Sequence, residues 1–175
     1  MHYDIAIVGY GPVGAAAASM FGKKGFNTVV IEPKKDIWDI PRAVHFDGQV
    51  QRVYQSMGIS SEVEKIIDIM TGITFLNHKG NKIVSLNMNN APRKNSYHED
   101  VMFDQPKFER ILRNHAEKNK NIDFKIGSYV SKLDPRESGN LLEIFDTNTN
   151  KISEISASYV IGADGADSFV RKSTK

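Results

Sequence analysis

The chain has 175 residues with 23 lysines and arginines against 21 aspartates and glutamates, a net charge of +2. So small an imbalance argues against a nucleic-acid or anionic-membrane ligand, and no apolar run approaches the ~20 residues of a membrane-crossing helix. The absence of cysteine excludes disulfides, thiolate metal sites and thiol chemistry, and it fits a reducing cytoplasm.

Residues 3–9 (YDIAIVG) form an apolar, β-branched run from so near the start that no signal peptide is expected. Pro12 to Lys24 should be a helix whose four consecutive alanines allow close approach to a sheet, with Gly25 at its C-cap. Asn27 to Glu32 (NTVVIE) is a second strand, completing a βαβ unit and so a parallel pair. Val50, Val53, Tyr54 and Met57 predict an amphipathic helix over 48–57, and Ser61 with Glu64 resembles a capping box. ITFLN and KIVSLNM flank HKGN as a hairpin, and 87–99 is polar and loop-like. Asp104 can cap a helix carrying Phe108, Ile111, Leu112 and His115 on one face. Ile122 to Ile126, LLEIFD, KISEISAS and YVIGADG read as four further strands. The class is α/β: a Rossmann-like parallel sheet at the two ends of the sequence, with antiparallel strands between.

Gly9-Tyr10-Gly11-Pro12-Val13-Gly14 fits G-x-G-x-x-G between a strand and a helix. Gly9 turns out of the strand, Gly11 lets a pyrophosphate approach the backbone, and Gly14 lets helix and strand pack closely. Pro12 in the first turn costs no hydrogen bond, and the N–H groups near Val13 face the phosphates. Glu32, 18 residues after Gly14, can accept both hydroxyls of an adenosine ribose and would repel a 2′-phosphate, favouring FAD or NAD over NADP. The glycines alone do not choose between those two, and a bare triplet also serves as a plain turn.

Three further stretches carry a resemblance: IPRAVHFDGQVQRVYQSMGI (40–59), FDQPKFERILRNHA (103–116) and YVIGADGADSFVRK (159–172). With the glycine loop they resemble the class A FAD-dependent aromatic monooxygenases of the para-hydroxybenzoate hydroxylase type, nearest the branch of 3-(3-hydroxyphenyl)propionate hydroxylase. The resemblance implies hydroxylation of a phenolic ring with NAD(P)H and O2, FAD supplying the redox chemistry. It implies FAD contacts at Arg42, Gln105, Asp164 and Gly165, with Arg171 pairing Asp164. It names no catalytic side chain. A clamp at Arg42 also follows from guanidinium chemistry, and a surface arginine is the plainer reading. His45, His78, His98 and His115 lack metal-ligand spacing, and HED at 98–100 reads as a solvated turn. Ser168 lacks a nucleophile-elbow context, and Phe75, Tyr97 and Phe103 read as packing.

On this reading 1–72 and 100–175 form an incomplete FAD-binding domain, with the 122–158 strands partly antiparallel, and 73–99 are inserted substrate-domain strands. Family members carry a later Gly-Asp motif, and these 175 residues contain none. The chain therefore reads as an N-terminal portion, inactive alone, with self-association or a complementing C-terminal chain as partners to expect. A non-catalytic nucleotide-binding module, or another FAD enzyme such as a halogenase or isoprenoid reductase, remains the alternative.

Overall fold

The computed structural model describes residues 1–90, 92–93 and 95–174, and the chain divides into two compact units. One comprises Met1–Asp39 with Glu109–Lys175, the other Ile40–Phe108.

The first unit opens with β1 (His2–Val8), α1 (Pro12–Lys23) and β2 (Thr28–Glu32). β1 and β2 are parallel, with Val8 opposite Ile31, the βαβ unit that the apolar runs predict. Both strands are buried on both faces, which is why they lack alternation. Ala15 and Ala18 of α1 are fully buried, and the helix ends at Lys23 with the Gly25 N–H returning to the Gly22 carbonyl.

In the second unit, β3 (His45–Asp47) leads into α2 (Gly48–Met57), where the periodicity predicted it, with Asp47 accepting the Val50 N–H at 2.9 Å. A short helix, α3 (Ser60–Val63), runs through a 3-10 turn into β4 (Ile67–Ile69). The capping box is not formed: Ile59 occupies the N-cap, and the Ser61 hydroxyl donates to its neighbour Glu62. β5 (Gly72–Leu76) and β6 (Lys82–Asn87) make the predicted hairpin. The loop reading of 87–99 spans residues 91 and 94, which lie outside the described residues. β7 (Asp100–Phe103) pairs antiparallel with β3 and β4 in a three-stranded sheet. Phe46, Tyr54, Phe103 and Phe108 pack ring to ring, with centroids 4.8 to 5.8 Å apart. Phe103 is therefore a half-buried packing residue, whereas Phe75 is exposed.

α4 (Gln105–Ala116) begins in the second unit and continues in the first. The Asp104 carboxylate accepts the Lys107 N–H at 3.0 Å, the predicted cap. β8 (Ile122–Ile126), β9 (Ser128–Arg136), β10 (Gly139–Asp146) and β11 (Lys151–Gly162) complete a six-stranded sheet in the order β8-β2-β1-β11-β10-β9. The segments read as two strands, KISEISAS and YVIGADG, are one continuous β11. Its first half pairs antiparallel with β10 and its second half parallel with β1. Leu142, Ile144 and Ile155 join Val29 and Ile31 in one buried cluster, each such side chain contributing roughly 1.5–3 kcal/mol. α5 (Phe169–Ser173) follows the GADGADS turn, capped by Ser168.

Candidate dinucleotide site

The three parallel strands β2, β1 and β11 end side by side, Val8 lying opposite both Ile31 and Gly162. In open α/β sheets, ligands bind outside such carboxyl ends. The glycine loop emerges there. The Gly9 N–H donates to the Ile31 carbonyl at 2.8 Å, and the Ala163 N–H to the Val8 carbonyl at 2.8 Å.

Each glycine answers a different demand. Gly9 has φ +100°, and a Cβ there would strike the Ala163 backbone. A Cβ on Gly14 would run into the Gly9 carbonyl oxygen, so the loop and the first turn of α1 touch backbone to backbone. Gly11 is the opposite case, since a Cβ there meets no atom within 4 Å. It is the N-cap of α1, no side chain caps that end, Pro12 occupies the first turn and Val13 is exposed. An uncapped helix start facing open space has the chemistry to take a diphosphate.

Glu32 closes the loop from the side. It is buried; one carboxylate oxygen accepts the Tyr10 N–H and the other the Lys34 N–H, each at 2.8 Å. Each oxygen keeps a second lone pair for a ribose hydroxyl.

At the end of β11, Asp164 accepts the Ser168 hydroxyl at 2.5 Å and the Val170 N–H at 3.1 Å. Burial would raise its carboxyl, but these bonds and other local backbone N–H groups hold it below the usual value. Arg171 does not take the expected role: its guanidinium donates to the Ala166 carbonyl at 2.6 Å. The arginine ties the loop to itself and the serine takes the aspartate, because Ser168 as N-cap of α5 already faces that carboxylate. Gly165 is exposed at φ +82°.

Arg42 and Gln105 come together in the 40–108 unit. The buried Gln105 side-chain oxygen accepts the Arg42 N–H at 2.6 Å and the Ala43 N–H at 2.8 Å, leaving the arginine residue exposed. His45 lies 3.4 Å from Asp100, and among the described residues no group of three metal-ligating side chains is assembled.

Sequence reasoning missed Tyr10, Glu109 and Arg113. Tyr10 is 1% exposed, its ring in contact with Phe124 (5.3 Å) and the Arg113 guanidinium (4.6 Å). Tyr10 fills a variable position of the glycine motif, and Glu109 with Arg113 forms an i, i+4 pair that reads equally well as a solvated one.

Comparison with known proteins decides the family. The profile described as FAD binding domain matches residues 2–175. The chain belongs to that family. The 3-(3-hydroxy-phenyl)propionate/3-hydroxycinnamic acid hydroxylase of Paraburkholderia xenovorans (strain LB400) is 31% identical over 171 residues, covering 97% of this chain and 27% of the relative. A probable NADH-specific resorcinol 4-hydroxylase of Rhodococcus jostii (strain RHA1) is 26% identical over 97% of this chain and 32% of its own length. The chain thus spans about a third or less of these relatives. The crystal structure of p-nitrophenol 4-monooxygenase PnpA from Pseudomonas putida DLL-E4 superposes with TM-score 0.87 at 22% identity, over 98% of this chain and 43% of that one. The flavin-dependent monooxygenase PieE, solved with FAD and substrate, gives 0.87 at 23% identity, over 99% and 32%. FAD is the cofactor of this FAD-binding domain, and its open, uncapped glycine loop fits that cofactor's diphosphate.

Proposed function

We propose that this FAD-binding domain serves a flavoprotein monooxygenase that hydroxylates a phenolic ring with NAD(P)H and O2. The open space before Gly11, at the uncapped start of α1, carries the reading. The diphosphate of FAD rests on Gly11, Pro12, Val13 and Gly14, with Gly9 shaping the turn. Glu32 takes the adenosine ribose, and Asp164 and Gly165 border the cofactor where β11 ends. Arg42 and Gln105 are assigned as further FAD contacts on the resemblance of their flanking sequence. When bound, FAD supplies the redox chemistry and the chain's own groups bind and orient it. The hydroxylase names of the two curated relatives support the phenolic substrate, and one of them supports a reduced nicotinamide as co-substrate. The same reading places the protein in the cytoplasm, where reduced nicotinamide is supplied.

The β5–β6 hairpin supports a partner as well. Ile73 faces Leu86 and Phe75 faces Val84 across one side of the hairpin, all but Ile73 exposed, whereas Thr74 and Ser85 bond to each other. Self-association or a complementing chain would cover that apolar side.

The test is FAD titration of the 175-residue chain, read by quenching of its single tryptophan, Trp38, beside the same titration of Gly11→Val. Binding that the substitution abolishes supports the reading; binding that it leaves intact overturns the placement of the diphosphate. NADH oxidation coupled to hydroxylation of phenolic acids, by a chain extended to the relatives' length, tests the activity.

A further inference from the structure

We propose that Arg113 is a positioning residue for the glycine loop, acting through the ring of Tyr10; the proposal rests on the FAD reading above. Tyr10 stands between Gly9 and Gly11, and it is held at three points. Its N–H donates to Glu32 at 2.8 Å, its hydroxyl donates to the Arg113 carbonyl at 3.3 Å, and its ring meets the Arg113 guanidinium 4.6 Å from its centroid and the tilted Phe124 ring at 5.3 Å. The guanidinium is aimed by Glu109, whose carboxylate it meets at 2.8 Å. Arg113 is 9% exposed and Glu109 3%.

Stability alone does not favour an arginine here. Buried ion pairs are often replaceable by apolar side chains at no loss. This one also leaves the Arg113 Nε buried without a partner among the described residues, which adds an unrecovered desolvation cost. What an apolar substitute could not supply is the cation over the Tyr10 face, an attraction that strengthens when water is excluded. Holding the ring fixes the Cα of Tyr10, and with it the spacing of the two glycines on either side. Arg113 thereby preorganises the surface that receives the diphosphate, from a helix that carries none of the loop's own residues.

The experiment measures backbone amide hydrogen exchange in the 175-residue chain without FAD, then FAD affinity. Arg113→Met is expected to speed exchange at the bonded amides of Tyr10 and Ala15 by roughly tenfold or more while the β9–β10 amides stay protected, and to weaken FAD binding by a similar factor. Arg113→Lys, which keeps the cation, should recover part of both. Should Arg113→Met fail to fold, Tyr10→Leu removes the ring from the other side and should loosen the same amides. Where both singles fold, the double variant should be no worse than the worse single. Loop exchange unchanged in these variants, or raised equally throughout the sheet, overturns the proposal. A chain that does not bind FAD, yet whose loop loosens in Arg113→Met, overturns the proposed function and supports the positioning.

Discussion

Glu32 accepts the backbone N–H of Tyr10 at 2.8 Å. A side chain at the end of β2 thus fixes the turn that leaves β1, before any ligand is considered. The other carboxylate oxygen holds the Lys34 N–H, so one group ties together the two backbone segments that flank the proposed ribose position.

Glu32→Gln should separate these duties. An amide offers one acceptor oxygen in place of two, so one N–H loses its partner. Hydrogen bonds to charged groups contribute about 1.5–3 kcal/mol, and FAD affinity should fall on the order of 10- to 100-fold. Fluorescence titration measures it, and affinity within twofold of the unsubstituted chain would remove Glu32 from the site.

Gly11→Ala and Gly14→Ala should fail in opposite ways. The first places its methyl in open space, so thermal stability should change by no more than about 1 kcal/mol, the scale of an altered N-cap, while FAD binding is lost. The second drives a methyl into the Gly9 carbonyl; overpacking of this kind costs about 1–3 kcal/mol or more. Calorimetry beside FAD titration distinguishes the two, and equal melting temperatures would contradict the backbone contact.

Asp164 gives the acid limb a recognisable contributor. Against burial, its hydrogen bonds hold the carboxyl below the ordinary 3.8 in the folded state. The stabilisation is therefore present above that ordinary value and is lost as the pH falls through the lower, folded one. In Asp164→Asn the stability should decline less steeply as the pH falls below the ordinary 3.8, as read by urea unfolding at each pH. An identical acid limb would show that Asp164 carries no such linkage.

The alkaline limb belongs to tyrosines. Burial pushes the Tyr10 and Tyr54 phenols well above 10; Glu117 adds to this for Tyr10 while Arg113 opposes it, and Asp47 adds for Tyr54. Their contribution is complete below pH 10 and is lost as the pH rises toward the folded-state values. Phenolate absorbance from these two should appear only with unfolding, and Tyr10→Phe with Tyr54→Phe should shrink that late step, leaving Tyr3, whose phenol burial and its bond to Asp123 also push up. Early, non-cooperative ionisation of both would contradict their burial.

Most of the first βαβ unit was legible because its signals are local: a doubly buried apolar run, a glycine loop, alanines and an acid at a fixed distance. β9 was not. SKLDPR carries charges and Pro135, which reads as a break, yet β9 is the edge of its sheet, where a missing N–H is tolerated. β11 was divided because its first half is rich in polar residues, a pattern that looks like a different strand from the apolar half. The three-residue strands β3 and β4 are too short for any period to show. In the candidate site, the tight packing of the glycine loop and the position of Glu32 beside it were readable from spacing. The Arg113–Tyr10 stack joins residues 103 positions apart, and only the fold brings them together. Arg171 misled: the resemblance implied a pair with Asp164, but the capping serine reaches the aspartate and the guanidinium turns to the Ala166 carbonyl.

β11 changes partners along its length, antiparallel to β10 and then parallel to β1. The first pairing is a hairpin that can close soon after both its arms leave the ribosome. The second must wait, because β1 is synthesised first and its neighbour spans residues 156–162. Until residues 156–162 have been synthesised, one flank of β1 stays open to chaperones and to other nascent chains. The hairpin then presents the awaited strand already straightened, so closing the flank of β1 is the docking of a prepared edge rather than a search by loose chain.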